Sequence, residues 1–254
     1  MKNNPTAAIV IIGNEILSGR TQDGNLNAIA ARLQPLGIRL AEARIVPDIE
    51  AEIVDAVNAL RGRYDYVFTT GGIGPTHDDI TAAAVAKAFG LPLVIDPAAR
   101  QRLLHHYGTD HLTDARLRMA RMPQGAALLD NPLSAAPGFQ IGNVYVMAGV
   151  PEIMRAMMDG IAARLKGGAP LQSRTVNCHI PESVIADELE KIADAYADCD
   201  IGSYPWFKLG RYGLAFVVRG TDDARLDEAA LAVLAMAKRH DPDAAIAAST
   251  ENGG

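Results

Sequence analysis

The chain has 254 residues, of which 49% are hydrophobic and 21% are charged, a composition typical of a soluble globular protein and not of a disordered one. Its 24 lysines and arginines against 30 aspartates and glutamates give a formal net charge of −6, which disfavours charge-driven binding to nucleic acid. No stretch reaches the roughly 18 uninterrupted apolar residues that a membrane span requires. We therefore expect no nucleic-acid partner and no membrane.

The amino-terminal segment and the cysteines indicate the compartment. The apolar run at positions 7–12 ends at Gly13, which predicts a buried strand and not a signal peptide. Cys178 and Cys199 form no CxxC pair and are too few for a disulfide framework. We therefore expect a cytoplasmic protein.

Strands and helices alternate along the first part of the chain. The continuous apolar run 7–12 predicts a strand buried on both faces, and apolar residues at helical spacing from Asn25 predict a crossover helix after it. Strands are predicted again over 38–46 and 65–70, and between them lies a helical stripe over 49–60. This alternation predicts a mostly parallel sheet flanked by helices.

After residue 70 the regular alternation of strands and helices gives way to consecutive predicted helices. An alanine-rich helix is predicted to end at Gly90, and further helices are predicted around 97–107 and 112–121. A strand over 143–147 and a helix opened by Pro151 follow.

The segment 166–170, KGGAP, is the best candidate for a linker, because its glycines and proline break one helix without starting another. We place the domain boundary there, with a first domain over residues 1–168. The order strand, helix, strand, strand, helix predicts a small α+β domain over residues 169–243. Residues 244–254 carry no pattern and are predicted to form a flexible tail.

Four loops follow predicted strands, at the edge where open α/β sheets bind ligands, and they span 13–25, 46–48, 71–79 and 148–152. The third, within TTGGIGPTHDDIT, is the most informative. Gly71, Gly72 and Gly74 leave backbone N–H groups uncovered and permit left-handed conformations, which favours a cradle for phosphate.

Two carboxylates follow these glycines directly. Asp78 and Asp79 would repel a bound phosphate unless a cation such as Mg²⁺ lay between them, so the pair is a candidate metal site. The alternative is that one of them caps the helix that begins near Ile80. Capping explains one aspartate and leaves the other unexplained.

The first two loops supply further polar groups. Those of the first loop suit the other end of a nucleotide-like ligand, and they are Glu15, Ser18, Gly19, Arg20 and Asp23. The alternative is that Asp23 or Thr21 caps the next helix. Asp48 directly precedes the stripe that begins at Ile49, and for this residue alone helix capping is favoured over ligand binding.

At these loops the sequence resembles the MoaB/Mog molybdopterin-binding fold, and specifically the N-terminal region of the competence/damage-inducible protein A (CinA) family. The motifs occur in family order over about the first 165 residues. They are IIGNEILSGRTQDGN from Ile11, VPD at Val46, TTGGIGPTHDDIT from Thr69, NPLSAAPGF from Asn131 and GVPEIM from Gly149.

The resemblance implies a pocket for a pterin or nucleotide diphosphate, in which the three glycines cradle phosphate and Asp48 and Asp79 match acidic positions of Mog-like enzymes. It also implies a homo-oligomer. CinA-like proteins are described as hydrolysing ADP-ribose and related nucleotide pyrophosphates with a divalent metal, whereas Mog-like relatives adenylylate molybdopterin. Both reactions act on a phosphoanhydride.

This sequence departs from the family pattern in three places. Ala148 stands where the family usually has the first proline of a PGVP turn, and Ser134 replaces a common glycine. Because no pattern follows the second domain, we expect the amidohydrolase domain of many relatives to be absent, and we expect no deamidation of nicotinamide mononucleotide.

The first functional hypothesis is a Mg²⁺-dependent hydrolase of a nucleotide pyrophosphate such as ADP-ribose. Its predicted catalytic residues are Asp79, Asp48 and Glu15. The metal ligands are Asp78 and Asp79, with Asp48 as the alternative to Asp78, and Glu15 or Asp23 orients the water. The predicted substrate-binding residues are Gly71, Gly72, Gly74, Pro75, Thr76, Ser18, Gly19, Asp23 and Asn25.

Two other hypotheses use the same sequence features. The first is molybdopterin binding or adenylyl transfer in the same pocket. The second is a non-catalytic interaction protein with a vestigial pocket, whose second domain recruits a partner through an exposed aromatic patch formed by Tyr204, Trp206 and Phe207.

Overall fold

The computed structural model describes residues 4–208 and 210–247. The chain divides into two compact units, and the division falls between Gly168 and Ala169, within the KGGAP segment. Each unit has its own buried core.

The first unit alternates strands and helices, with two single 3₁₀ turns besides. Its strands are β1 (Thr6–Ile12), β2 (Arg39–Val46), β3 (Tyr66–Thr70), β4 (Leu93–Ile95), β5 (Arg121–Pro123), β6 (Ala127–Leu129), β7 (Gly138–Ile141) and β8 (Val144–Met147). Its helices are α1 (Asn14–Leu17), α2 (Asn25–Leu33), α3 (Glu50–Arg61), α4 (Thr81–Phe89), α5 (Pro97–Tyr107), α6 (Asp114–Arg118) and α7 (Pro151–Ala162).

The main sheet has the order β2-β1-β3-β8-β7-β6. The pairs β2–β1, β1–β3 and β3–β8 are parallel, whereas β8–β7 and β7–β6 are antiparallel. The predicted class, a mostly parallel sheet flanked by helices, is therefore confirmed. The prediction omitted β4 to β7, and the helix predicted over 112–121 is only the short α6, since the chain from Arg121 enters a strand.

Strand β1 shows why the sheet is covered on both faces. Alternate residues of a strand point to opposite faces. Ala8, Val10 and Ile12 pack with residues of α3 and α4, while Ala7, Ile9 and Ile11 pack with residues of α2 and α7. All six are buried, so the continuous apolar run of β1 is what a central parallel strand requires.

The second unit consists of β9 (Gln172–Cys178), α8 (Glu182–Ala195), β10 (Asp200–Lys208), β11 (Arg211–Gly220), α9 (Asp223–His240) and β12 (Ala245–Ile246). Its four strands are antiparallel in the order β10-β11-β9-β12. None of the helices in the described part of the chain combines the length and apolar character needed to cross a bilayer.

The prediction that the tail begins at residue 244 is wrong for its first residues. Ala244 is buried, β12 pairs with β9, and Ala247 N donates to Thr175 O at 2.8 Å. A free strand edge offers unpaired backbone groups, and pairing of two residues leaves no periodicity in the sequence. Residues 248–254 lie outside the described residues.

Only two of the three residues of the predicted aromatic patch are exposed. Tyr204 and Phe207 are exposed, by 45% and 73%. The Trp206 ring instead lies over Gly213, where a Cβ would come within 2.2 Å of it, and contacts the His179 ring edge-on at 5.5 Å between centroids.

Candidate functional site

A cavity of about 520 Å³ lies at the carboxyl ends of the parallel strands of the first unit. Its lining includes Ile12 at the end of β1, Asp48 after β2, and the segments 71–74 and 148–151 after β3 and β8. All four loops that follow these strands therefore contribute to one cavity, at the edge where open α/β sheets bind ligands. We call it the acidic cavity.

All charged side chains that line the acidic cavity are negative. Four of its lining residues are carboxylates, namely Glu15, Asp48, Asp78 and Asp79. Its lining in the described chain contains no lysine, arginine or histidine. The only charged side chains that a phosphate ligand would meet are therefore negative, and positive charge has to come from backbone dipoles or from a cation that accompanies the ligand.

The turn formed by residues 71–74, the glycine turn, supplies those dipoles. Gly71 and Gly72 have φ of 104° and 67°, in the left-handed region. A Cβ at position 71 would lie 2.2 Å from the Ile12 carbonyl oxygen, and one at position 72 would lie 2.2 Å from Thr81 Oγ1. Both positions therefore require glycine, for conformation and for space.

Thr81 fixes the direction of the glycine turn. It is completely buried, its hydroxyl donates to Gly71 O at 2.9 Å, and its N–H donates to Gly72 O at 3.0 Å. In a trans peptide the C=O and the next N–H point in opposite directions. With both carbonyls held by α4, the amides of Gly72 and Ile73 are turned the other way, and neither has an acceptor among the described residues.

Replacing Thr81 by valine is expected to destabilise the protein by about 1–3 kcal/mol, because the buried Gly71 oxygen loses its donor. Thr81→Ser keeps the hydroxyl and is expected to lose less. Urea denaturation of both variants measures the difference. If Thr81→Val were as stable as Thr81→Ser, the hydroxyl would not be what holds the glycine turn.

Asp78 and Asp79 converge on Thr76. Asp79 Oδ2 accepts from Thr76 N at 2.7 Å, and Thr76 Oγ1 lies 2.5 Å from Asp79 Oδ2 and 2.6 Å from Asp78 Oδ1. A hydroxyl has one hydrogen and satisfies only one of the two carboxylates at a time. The hydrogen bond from Thr76 lowers the pKa of Asp78 below its usual value of 3.8, so the Asp78 carboxylate is charged at neutral pH.

Capping is not the role of either aspartate. Helix α4 begins after Ile80 and has no side-chain cap. The capping alternative considered for this pair is therefore wrong, and both carboxylates are left at the wall of the acidic cavity.

The carboxylates of the acidic cavity supply only part of the ligand set that Mg²⁺ requires. The described residues contain no group of three or more histidine, cysteine, aspartate or glutamate side chains placed to hold a metal. Mg²⁺ is commonly bound by one or two carboxylates, with substrate phosphates and waters completing the shell. Asp78 and Asp79 fit an ion that arrives with a phosphate ligand, and they do not form a complete protein cage.

Asp48 and Glu15 also line the acidic cavity. Asp48 Oδ2 accepts from Asn14 N at 2.9 Å, across two loops. Helix α3, by contrast, has Ile49 as its N-cap residue and no side-chain cap, so the favoured interpretation of Asp48 as its cap is wrong. The Glu15 carboxylate lies against Gly13, within 2.6 Å of where a Cβ would be, and has no hydrogen-bond partner in the described chain.

Several predicted substrate-binding residues lie outside the lining of the acidic cavity, namely Ser18, Gly19, Asp23, Asn25, Pro75 and Thr76. Asp23 accepts from the N–H groups of Asn25 and Leu26, at 3.2 and 2.9 Å, as the capping alternative requires. Gly19 and Asp23 line a separate hollow of about 480 Å³ beside β1.

Asn25 contacts the site through the backbone. The side chain is buried, its Nδ2 donates to Gly149 O at 2.8 Å, and its Oδ1 has no partner in the described chain. Gly149 in turn packs against Gly71, since a Cβ there would lie 3.2 Å from Gly71 Cα. Asn25 therefore holds the loop after β8 against the glycine turn.

Sequence reasoning missed the wall formed by residues 131–136. Asn131 Nδ2 donates to Ser134 Oγ and Ala136 O at 2.7 and 2.8 Å, and its Oδ1 accepts from Ser134 N at 3.0 Å. The NPLS run carries the signal for such a turn, because asparagine side chains bond to backbone groups a few residues on. Ser134 and Ala148, the two departures from the family pattern, both line the acidic cavity.

These features define a class of α/β domain that binds its ligand at the carboxyl ends of parallel strands, with a glycine turn and carboxylates in the pocket. Residues 8–167 match the family described as a probable molybdopterin binding domain, and the chain belongs to that family. Residues 170–242 match the family described as the middle domain of FAD synthase.

Individual relatives agree with this assignment. A protein from Pyrobaculum calidifontis is 37% identical over 187 residues, which are 71% of this chain and 70% of the relative. A CinA-like protein from Desulfosudis oleivorans is 36% identical over 196 residues, and the matched region is 72% of this chain and 48% of that relative.

A solved structure points to the same group. The protein CinA from Thermoplasma acidophilum, described as of unknown function, has a TM-score of 0.60 and 34% identity and covers 64% of this chain and 98% of its own. The predicted resemblance to the N-terminal region of CinA is confirmed.

Proposed function

We propose that the first unit binds a nucleotide containing a phosphoanhydride together with Mg²⁺ and hydrolyses the anhydride, as in cleavage of ADP-ribose. One observation carries the proposal: a single cavity combines backbone amides without acceptors with four carboxylates and no basic side chain. Amides suit phosphate, whereas the carboxylates exclude it unless a cation comes with it.

The residues of the chain divide the chemistry among them. Asp78 and Asp79 would hold the Mg²⁺, which when bound supplies positive charge to the phosphate oxygens. The amides of the glycine turn donate to the phosphoryl oxygens, where negative charge is concentrated during the transfer.

Glu15 would act as the general base. Its carboxylate is exposed and has no hydrogen-bond partner in the described chain, so it can accept a proton from water. The water oxygen then bonds to phosphorus, the bridging P–O bond breaks, and the second phosphate leaves with the bond electrons. Asp48, which holds Asn14 N, keeps the start of α1 in place beside the cavity.

A second candidate is molybdopterin binding or adenylyl transfer. It is favoured by the two family matches, a probable molybdopterin binding domain and the middle domain of FAD synthase. Here the oxygen that attacks phosphorus belongs to the phosphate of a second substrate and not to water. The same amides and carboxylates would serve.

Product analysis separates these candidates. The purified protein is incubated with ADP-ribose, with ADP, and with ATP plus a pterin phosphate, each with Mg²⁺ or with EDTA. We expect AMP and ribose 5-phosphate from ADP-ribose in Mg²⁺ only. Adenylylated pterin without hydrolysis would favour the second candidate, and neither product would favour the interaction-protein hypothesis.

A further inference from the structure

A second cavity of about 560 Å³ lies beside the acidic cavity in the same unit. One wall is a face of α5 that carries Ala98, Gln101, Arg102, His105 and His106. The other wall is the loop 131–137, which also borders the acidic cavity. We call this space the α5 cavity.

The chemistry of the α5 cavity is opposite to that of its neighbour. Its lining includes a guanidinium and two imidazoles and no carboxylate. Arg102 Nη1 forms an ion pair with Asp130 Oδ1 at 2.7 Å, which restrains the guanidinium at the rim. The facing loop presents apolar surface from Pro132, Leu133, Ala135 and Pro137.

The two cavities border each other directly. Asn131 and Ser134 line both of them, and these residues are bonded to each other at 2.7 Å. A ligand whose phosphates lie in the acidic cavity therefore needs to pass only this short turn to reach the α5 cavity.

We infer that the α5 cavity is a second subsite of the same ligand site and binds the planar heteroaromatic ring of the ligand. The inference rests on the proposed function, because it assumes that the phosphoanhydride occupies the acidic cavity. Guanidinium and imidazole groups stack on and hydrogen-bond to heteroaromatic rings, and proline and leucine supply the apolar surface opposite. Such a ring belongs either to a nucleobase or to a pterin.

The test compares ligands with and without the ring. Calorimetry in Mg²⁺ gives the affinities of inorganic pyrophosphate, ADP-ribose and dihydroneopterin triphosphate for the full chain, for R102A/H105A, and for the control R100A/H111A. The control removes the same residue types from positions outside both linings. Arg102 and His105 are exposed, so both variants are expected to melt like the parent.

We expect R102A/H105A to bind pyrophosphate as the parent does and to lose about tenfold affinity for the ring-bearing ligand, with the control unchanged. An Ala98→Trp variant, which fills the α5 cavity, is expected to show the same selective loss. Whichever of the two ring-bearing ligands loses affinity shows whether the subsite binds a nucleobase or a pterin.

Two results would overturn the inference in distinguishable ways. Suppose first that the parent binds pyrophosphate and a ring-bearing ligand, and that R102A/H105A binds both as tightly as the parent and the control do. The α5 cavity would then have no part in binding, while the proposed function stood. If the parent bound none of the three in Mg²⁺, the proposed function and the inference would fall together.

Discussion

Replacing Gly71 by alanine is expected to destabilise the first unit by about 3 kcal/mol or more and to abolish ligand binding. The residue has φ of 104°, and a Cβ would lie 2.2 Å from the Ile12 carbonyl oxygen. That oxygen belongs to the backbone of β1 and cannot move without disturbing the sheet. Thermal unfolding followed by circular dichroism should show a lowering of Tm by about 10 °C.

Gly90→Ala is the matched control for this variant. Gly90 also has a left-handed φ, 64°, but a Cβ there would meet no heavy atom within 4 Å. Its substitution should cost only about 1 kcal/mol of backbone strain and leave binding unchanged. Equal losses in the two variants would show that the close contact with β1 does not matter.

Replacing Asp79 by asparagine is expected to reduce Mg²⁺-dependent turnover of ADP-ribose about a thousandfold while the fold is retained. An amide oxygen can still accept from Thr76 N, as Asp79 Oδ2 does at 2.7 Å, so the turn is kept. The substitution removes the negative charge that would face the proposed Mg²⁺. Steady-state release of AMP, with Tm measured in parallel, tests both halves of the expectation.

Asp55→Asn serves as the control, because it makes the same change of charge on the exposed surface of α3, outside the acidic cavity. Its turnover should equal that of the parent. Full activity in Asp79→Asn would remove this aspartate from the proposed site and with it the assignment of the Asp78–Asp79 pair.

The part of the fold that could be predicted from the sequence is the part set by continuous apolar runs. The run of β1 is buried on both faces and therefore shows in the sequence. The helix opened by Pro151 was also predicted, and its Met154 and Met157 are fully buried. Strands β4 to β7 have only three or four residues each, which is too short for periodicity to distinguish them from loops.

The candidate site was predictable where backbone conformation dictates the residue. The need for glycine at 71 and 72 shows in the sequence, because other residues avoid positive φ. Thr81 was missed because its partners are the carbonyls of Gly71 and Gly72, far back along the chain, and a buried threonine in a helix has no sequence signature. The hydrogen bond from Asn14 N to Asp48 could not be predicted from the sequence either, because the two residues lie in different loops.

The most direct measurement of the central claim is a calorimetric titration of ADP-ribose into the full chain, once in Mg²⁺ and once in EDTA. Because the acidic cavity would surround a diphosphate with carboxylates, binding should be about a hundredfold tighter in Mg²⁺ than in EDTA, and this difference should largely disappear in Asp79→Asn. Equal affinity in Mg²⁺ and EDTA would contradict the account, since a diphosphate would then enter the cavity without the cation that its carboxylates require.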